Sequence, residues 1–156
     1  MTTDHEKIAF KNRLKKWGLD LIGERIATAK EAMNQAQEAA NSEEKSSAGD
    51  KYETGRAMGH LQKDMHARQL AESAKELATL HAIPIEPLST QGRPGAFLQA
   101  KDLAFFISAG LGKQVIDGHT VLFLSPQAPL ATQLEGKKTG DSIQFNKGLV
   151  NILDVY

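Results

Sequence analysis

Two carboxylates separated by two residues, Asp50 and Glu53, stand in Ser46-Ser47-Ala48-Gly49-Asp50-Lys51-Tyr52-Glu53, the one interruption between two long segments that read as helix. Three apart at a helix start, they fall on one face with Cβ atoms about 5–6 Å apart. Such a pair can share one magnesium ion, which takes one or two protein carboxylates, keeps several waters and otherwise binds substrate phosphates. An ion held in this way can orient a water for attack on a phosphodiester. The same spacing also has a structural use. Asp50 as N-cap with Glu53 reaching back is a near capping box, the cap being worth ~1 kcal/mol, and Ser47 stands at the same distance from Asp50. The two roles are compatible. Ser47, Gly49 and Tyr52 complete the turn, and Tyr52 either offers a ring to a base or packs across the turn.

The flanking segments must position this turn. Upstream, Ile22, Ile26, Ala29, Met33, Ala36 and Ala40 recur in steps of four and three, the seam of a helix packed along one narrow line. Downstream, Met58, Leu61 and Met65, then Leu70, Ala74 and Leu77, repeat those steps with one slip. Two such helices joined by a short turn lie antiparallel, with the turn at the tip. Taken as about 38 and 32 residues, the first ending near Asn41, they are roughly 57 and 48 Å long. An Ala-rich distal half buries little, so this length suggests reach into a deep target.

Thr3 or Asp4 can cap the first helix, and Glu6 suits its first turn. Lys7, Lys11, Arg13, Lys15 and Lys16 surround Phe10, Leu14 and Trp17. These cations read either as a solvated face over a buried aromatic anchor or as a surface for a phosphate backbone. Gly18 and Gly23 weaken this helix by roughly 1 kcal/mol each relative to Ala. His60 and Asp64, one turn apart, lack a third metal ligand and read as surface residues. Arg56, Lys63 and Arg68 either line up toward nucleic acid or an acidic channel wall or are plain solvated charges.

Composition narrows the function classes. The chain has 156 residues, 40% hydrophobic and 24% charged, enough for one real core. Lys plus Arg and Asp plus Glu both total 19, and the balance holds on either side of residue 82, which removes a strongly basic nucleic-acid footprint. With no Cys, disulfides, thiolate-bound zinc and thiol nucleophiles are excluded. The first 30 residues hold no apolar run of signal-peptide type, and no apolar stretch reaches the roughly 20 residues that span a bilayer. The expectation is a cytoplasmic protein without membrane contact.

Near His81 the helical pattern ends. Ala82-Ile83-Pro84-Ile85-Glu86-Pro87 forces extended backbone, and the expected division is a hairpin over 1–82, a linker over 83–94 and a separate domain over 95–156. In the last part the period changes to 2 and to short apolar runs at 96–100, 103–109, 120–125, 142–145 and 149–155. Lys101-Asp102, Asp117-Gly118 and Asn146-Lys147-Gly148 are the turn signals. Pro129 starts and Gly136 follows a short helix. The fold class is therefore α+β, a long antiparallel helical hairpin followed by a small antiparallel sheet with one short helix.

A hairpin with Gly-Asp-x-x-Glu at its tip, followed by a sheet domain carrying Pro129-Leu130-Ala131, then Glu135-Gly136-Lys137-Lys138 and Gly140-Asp141, resembles the Gre transcript-cleavage factors of bacterial RNA polymerase. Gly49, Asp50 and Glu53 match the family's tip; Lys51, Tyr52 and Thr54 do not, the commoner residues being Leu, Ser and Asn. Pro129, Leu130, Ala131, Leu134, Gly136, Lys137 and Asp141 match the C-terminal pattern, while Gln127 and Ala128 replace a polar or acidic residue and a serine.

The resemblance implies an FKBP-like C-terminal domain without isomerase activity, seated at the rim of the polymerase secondary channel. The rim contact would be Pro126, Gln127, Ala128, Pro129 and Leu130. It also implies a coiled coil that enters the channel, with Asp50 and Glu53 helping to retain a second magnesium ion, bound only within the complex, for cleavage of backtracked RNA. The protein would then be an accessory factor and not itself an enzyme, a monomer when free, touching the nascent RNA 3′ end only indirectly. The departures at the tip suggest a divergent branch. They leave two alternatives, a channel-occupying inhibitor and a non-catalytic interaction module; prolyl isomerase activity is weaker, since Phe105 and Phe106 offer little of an aromatic proline pocket.

Overall fold

The computed structural model describes residues 3–46 and 50–156, with side chains 43–56 outside that description. Two helices come first, α1 (Asp4–Ser46) and α2 (Asp50–Ala82). The chain divides into two compact units, one of residues 20–77 and one of 1–19 with 78–156. The expected boundaries at 82 and 95 thus do not coincide with the compact units, which cut through both helices.

Unit 20–77 is an antiparallel helix pair. Partners advance along α1 as they recede along α2: Arg25 meets Glu76 (3.8 Å), Lys63 Nζ donates to Gln37 Oε1 (3.0 Å), and Gly59 lies against Ala40. On α1 the expected seam holds, with Ile22, Ala29, Ala36 and Ala40 buried and Ile26 and Met33 half-buried. On α2 it does not. Met58, Leu61 and Met65 are 55%, 57% and 52% exposed, and the inward row is Gly59, Lys63, His66, Leu70, Ser73 and Leu77. That row keeps the steps of four and three. The cause is the small residues opposite: Ala36 and Ala40 bring the backbones so close that a glycine fits and a methionine does not. α1 also continues to Ser46, past the expected end near Asn41.

The other unit is built on a sheet. Its strands are β1 (Phe97–Gln99), β2 (Ala104–Ile107), β3 (Gly112–Ile116), β4 (His119–Leu124) and β7 (Asp154–Val155), in the order β3-β4-β2-β1-β7. A separate hairpin pairs β5 (Ser142–Phe145) with β6 (Gly148–Asn151), and the short helix α3 (Pro129–Leu134) lies between β4 and β5. The sheet is not wholly antiparallel as expected: β2 and β4 are parallel, Phe105 opposite Leu122. β3 was not legible in the sequence. It is an edge strand, largely exposed, so it carries no apolar pattern, and its return through Asp117-Gly118 (φ 52° and 78°) sends β4 back alongside β2. Both φ values suit a two-residue hairpin turn, as do those of Asn146 and Lys147 (51° and 63°) between β5 and β6. The expected run 149–155 is split, with Leu153 exposed between β6 and β7.

Both faces of the central strands are buried, which explains the unbroken apolar run of β2. One face, with Leu98, Phe105 and Ile107, packs with Ala131 and Leu134 of α3 and with Ile143. The other carries Phe97, Phe106 and Phe123. There Phe10 of α1 meets Phe97 edge-on at 5.4 Å, and the position of Gly18 is hemmed in by Leu80, Leu111 and Phe123. The first turns of α1 therefore serve as a layer of the sheet unit. Residues 83–94 are likewise packed: Ile83, Ile85 and Ser89 are buried, and a Cβ on Gly92 would collide with the Leu134 carbonyl. Among the described residues no helix is long and apolar enough to cross a membrane.

Candidate functional site

The backbone places Asp50 and Glu53 in the first turn of α2. Ser47 and Gly49 lie outside the described residues, as do the side chains of Asp50, Tyr52 and Glu53. The expectation that this pair shares a cation therefore falls on side chains outside the described residues. The capping alternative has a direct counterpart in this chain. At the start of α1 the Glu6 amide donates to Thr3 Oγ1 (3.1 Å) and the Thr3 amide to Glu6 Oε2 (2.9 Å), a complete capping box of the same spacing.

The second candidate, the loop after β4, is built by short local bonds. Ser125 Oγ donates to Gln127 Oε1 (2.7 Å), the Gln127 amide to Ser125 Oγ (3.3 Å) and the Ala128 amide to the Ser125 carbonyl (3.0 Å). Ala128 is an N-cap with no side chain to offer, and Pro129 follows at the position where a missing N–H costs nothing. Gln127 and Pro129 are exposed, whereas Leu130 packs toward the core. The loop thus presents two side chains on a half-buried footing. Pro126 shares a cavity of about 80 Å³ with Arg93, Pro94, Ile107, Ala131 and Glu135. From sequence Glu135 entered only as part of the C-terminal motif, and Arg93 was not singled out. Glu135, one turn after Ala131, was within reach of a helical reading; Arg93 arrives only because, just after α3, the Gly92 amide donates to the Lys137 carbonyl and the Gly136 amide to the Gly92 carbonyl.

The basic face of α1 is largely engaged. Lys7 pairs with Asp154 (3.2 Å), Arg13 with Asp117 (3.0 Å), and Lys15 Nζ donates to the carbonyls of His81 (3.1 Å) and Ile83 (2.9 Å), neutralising the C-terminal end of α2. Lys11 is fully buried with one long bond to the Ile85 carbonyl (3.5 Å). Burial, reinforced by the charge of Arg93, lowers its pKa to about 8. Trp17 is not the buried anchor expected; it is 43% exposed and donates to Gln114 Oε1 (3.3 Å). With these cations committed internally, the phosphate-backbone reading of this face loses its support.

A cleft of about 440 Å³ borders Phe10, His119 and Tyr156, and burial beside Asp154 pushes the Tyr156 phenol up to about 12. Its charged groups already serve one another, as the pairs of Lys7 and Arg13 show. In the helix pair an open groove of about 640 Å³ is lined by Leu21, Glu24, Arg25, Arg68, Glu72 and Glu76. Burial raises the Glu76 pKa there, with Arg25 opposing and Glu72 adding to the shift. Among the described residues no three His, Asp or Glu side chains converge as a metal site, and His60 and Asp64 acquire no third ligand. No protein-family model matches the chain, and a search of curated proteins finds no match.

Proposed function

We propose that this protein is a transcription elongation factor that binds bacterial RNA polymerase and stimulates the polymerase's own cleavage of backtracked RNA. The observation that carries the reading is the antiparallel pair of 43- and 33-residue helices whose reversal leads straight into Asp50 and Glu53. A helix pair of roughly 50 Å or more along each member exceeds what a small core needs. The resemblance of the tip, and of residues 129–141, to the Gre factors supplies the target: the hairpin enters the secondary channel, and the sheet unit, read as FKBP-like, docks at the rim through residues 126–130. Asp50 and Glu53 would help to hold a magnesium ion shared with the polymerase, which would supply a polarised water for attack on the RNA phosphodiester. Asp50 and Glu53 hold charge at that point, and the loop fixes the depth of entry.

Purified protein is tested for binding to core RNA polymerase and for shortening of RNA in stalled complexes. Binding with cleavage supports the reading. Binding with inhibition and no cleavage assigns the channel-occupying alternative, which the replacements at Lys51, Tyr52 and Thr54 favour. Absence of binding sinks the proposal.

A further inference from the structure

On α2 an exposed apolar row and a row of alternating charge lie side by side. Met58, Leu61 and Met65 recur at i, i+3 and i+7, each more than half exposed. His60, Asp64, Arg68 and Glu72 follow one another at intervals of four. Leu61, Asp64, Met65, Arg68 and Glu72 share one face, since they stand at i, i+3, i+4, i+7 and i+11. Among the described residues His60, Asp64 and Arg68 have no ion pair or hydrogen bond, although Arg25 and Glu76 nearby are paired. Large apolar side chains grouped on one exposed face mark an interaction surface.

The order of the charges says what fits there. About a two-fold axis level with residue 66, Asp64 comes level with Arg68 of a second copy and Arg68 with its Asp64. Met65 then stands beside its own counterpart, and Leu61 comes level with the small, exposed Ala71. A parallel, in-register pair would instead set Asp64 against Asp64 and Arg68 against Arg68. An isologous contact must be self-complementary, and this face is so only when antiparallel. We propose that the Met58, Leu61 and Met65 face of α2 is a homodimer interface, pairing antiparallel with the same face of a second copy, in place of the monomer expected from sequence. The apolar row supplies the buried area, and the charges select orientation, as exposed ion pairs add little affinity. One helix face is smaller than a standard interface of about 1,600 Å², so the association is weak and reversible. The inference does not depend on the polymerase reading.

Sedimentation equilibrium of the full chain up to about 0.5 mM tests it, a range suited to weak association. A rise in mass from 17.0 kDa toward twice that value is expected. Leu61→Asp should remain monomeric throughout. Asp64→Arg and Arg68→Asp should each weaken dimerisation by about tenfold or more, and the double exchange should restore it to within about threefold of the parent. Circular dichroism verifies that each variant keeps its helices. A parent that stays monomeric at the highest concentration, or a double exchange no better than the worse single one, overturns the proposal.

Discussion

A Cβ placed on Gly59 would stand 2.9 Å from the Cβ of Ala40, so the two helices of the hairpin meet with no room for a side chain between them. Two opposing effects decide the outcome of substitution. Alanine gains about 1 kcal/mol of helix propensity over glycine, while overpacking typically costs about 1–3 kcal/mol. Gly59→Ala is expected to be close to neutral. Gly59→Leu, with further atoms to place, should lose about 2 kcal/mol, seen in denaturant unfolding followed by circular dichroism.

The two glycines of α1 should respond in opposite directions. Nothing lies within 4 Å of a Cβ on Gly23, so Gly23→Ala should stabilise the protein by about 1 kcal/mol through propensity alone. At Gly18 a Cβ would come 2.7 Å from Leu80 Cδ2 and 3.1 Å from Leu111 Cδ1, both buried, and the same change should give no gain. Equal stabilisation at both positions would show that Gly18 is not required for close packing.

Lys11 makes stability depend on pH in an unusual direction. Its folded pKa is about 8 against the ordinary 10.5, so between those values the unfolded chain binds more protons than the folded one. Stability from this group is therefore flat below pH 8, rises as pH increases from 8 toward 10.5, and is flat again above. Lys11→Met removes the buried charge at nearly constant volume. It should stabilise the protein by ~1–2 kcal/mol at pH 7 and flatten the rise above pH 8, as measured by chemical denaturation across that range. A larger rise in the variant than in the parent would contradict the assignment.

At the tip, Asp50→Asn keeps a good N-cap and Glu53→Gln keeps the capping box, while both remove the charge a magnesium ion needs. Stability should move by less than about 0.5 kcal/mol, and polymerase binding should persist with RNA cleavage lost. Asp50→Ala, which loses cap and charge together, should in addition cost ~1 kcal/mol. Full cleavage by the Asn and Gln double variant would assign the carboxylates to capping alone.

In the loop after β4, Gln127 and Pro129 are the exposed side chains, on a half-buried footing. Changing both to alanine should leave the circular dichroism spectrum intact and weaken polymerase binding by about tenfold, near 1.4 kcal/mol. Unaltered affinity in a direct binding assay would move the rim contact elsewhere.

Local chemistry was legible from residue types alone. Thr3 and Glu6 signal a helix start, Asp117-Gly118 and Asn146-Lys147-Gly148 signal hairpin turns, Pro129 and Gly136 bracket α3, and the Ala29, Ala36 and Ala40 seam signals a close helix pair. Each depends on neighbours within a few residues, where spacing and geometry are equivalent. Tertiary packing decided the rest. Whether Met58, Leu61 and Met65 turn inward depends on how near Ala36 and Ala40 bring the opposing backbone, because a narrow seam admits Gly59 and excludes methionine. β3 forms because β4 offers it an edge, without an apolar pattern of its own. Phe10 and Leu14 belong to the sheet unit because Phe97, Phe106 and Phe123 leave an apolar face that the first turns of α1 cover. The periodicity of α1 carries a seam and a helix, but the surface that buries each part of it comes from residues as far off in sequence as His119 from Phe10 and Phe123 from Gly18.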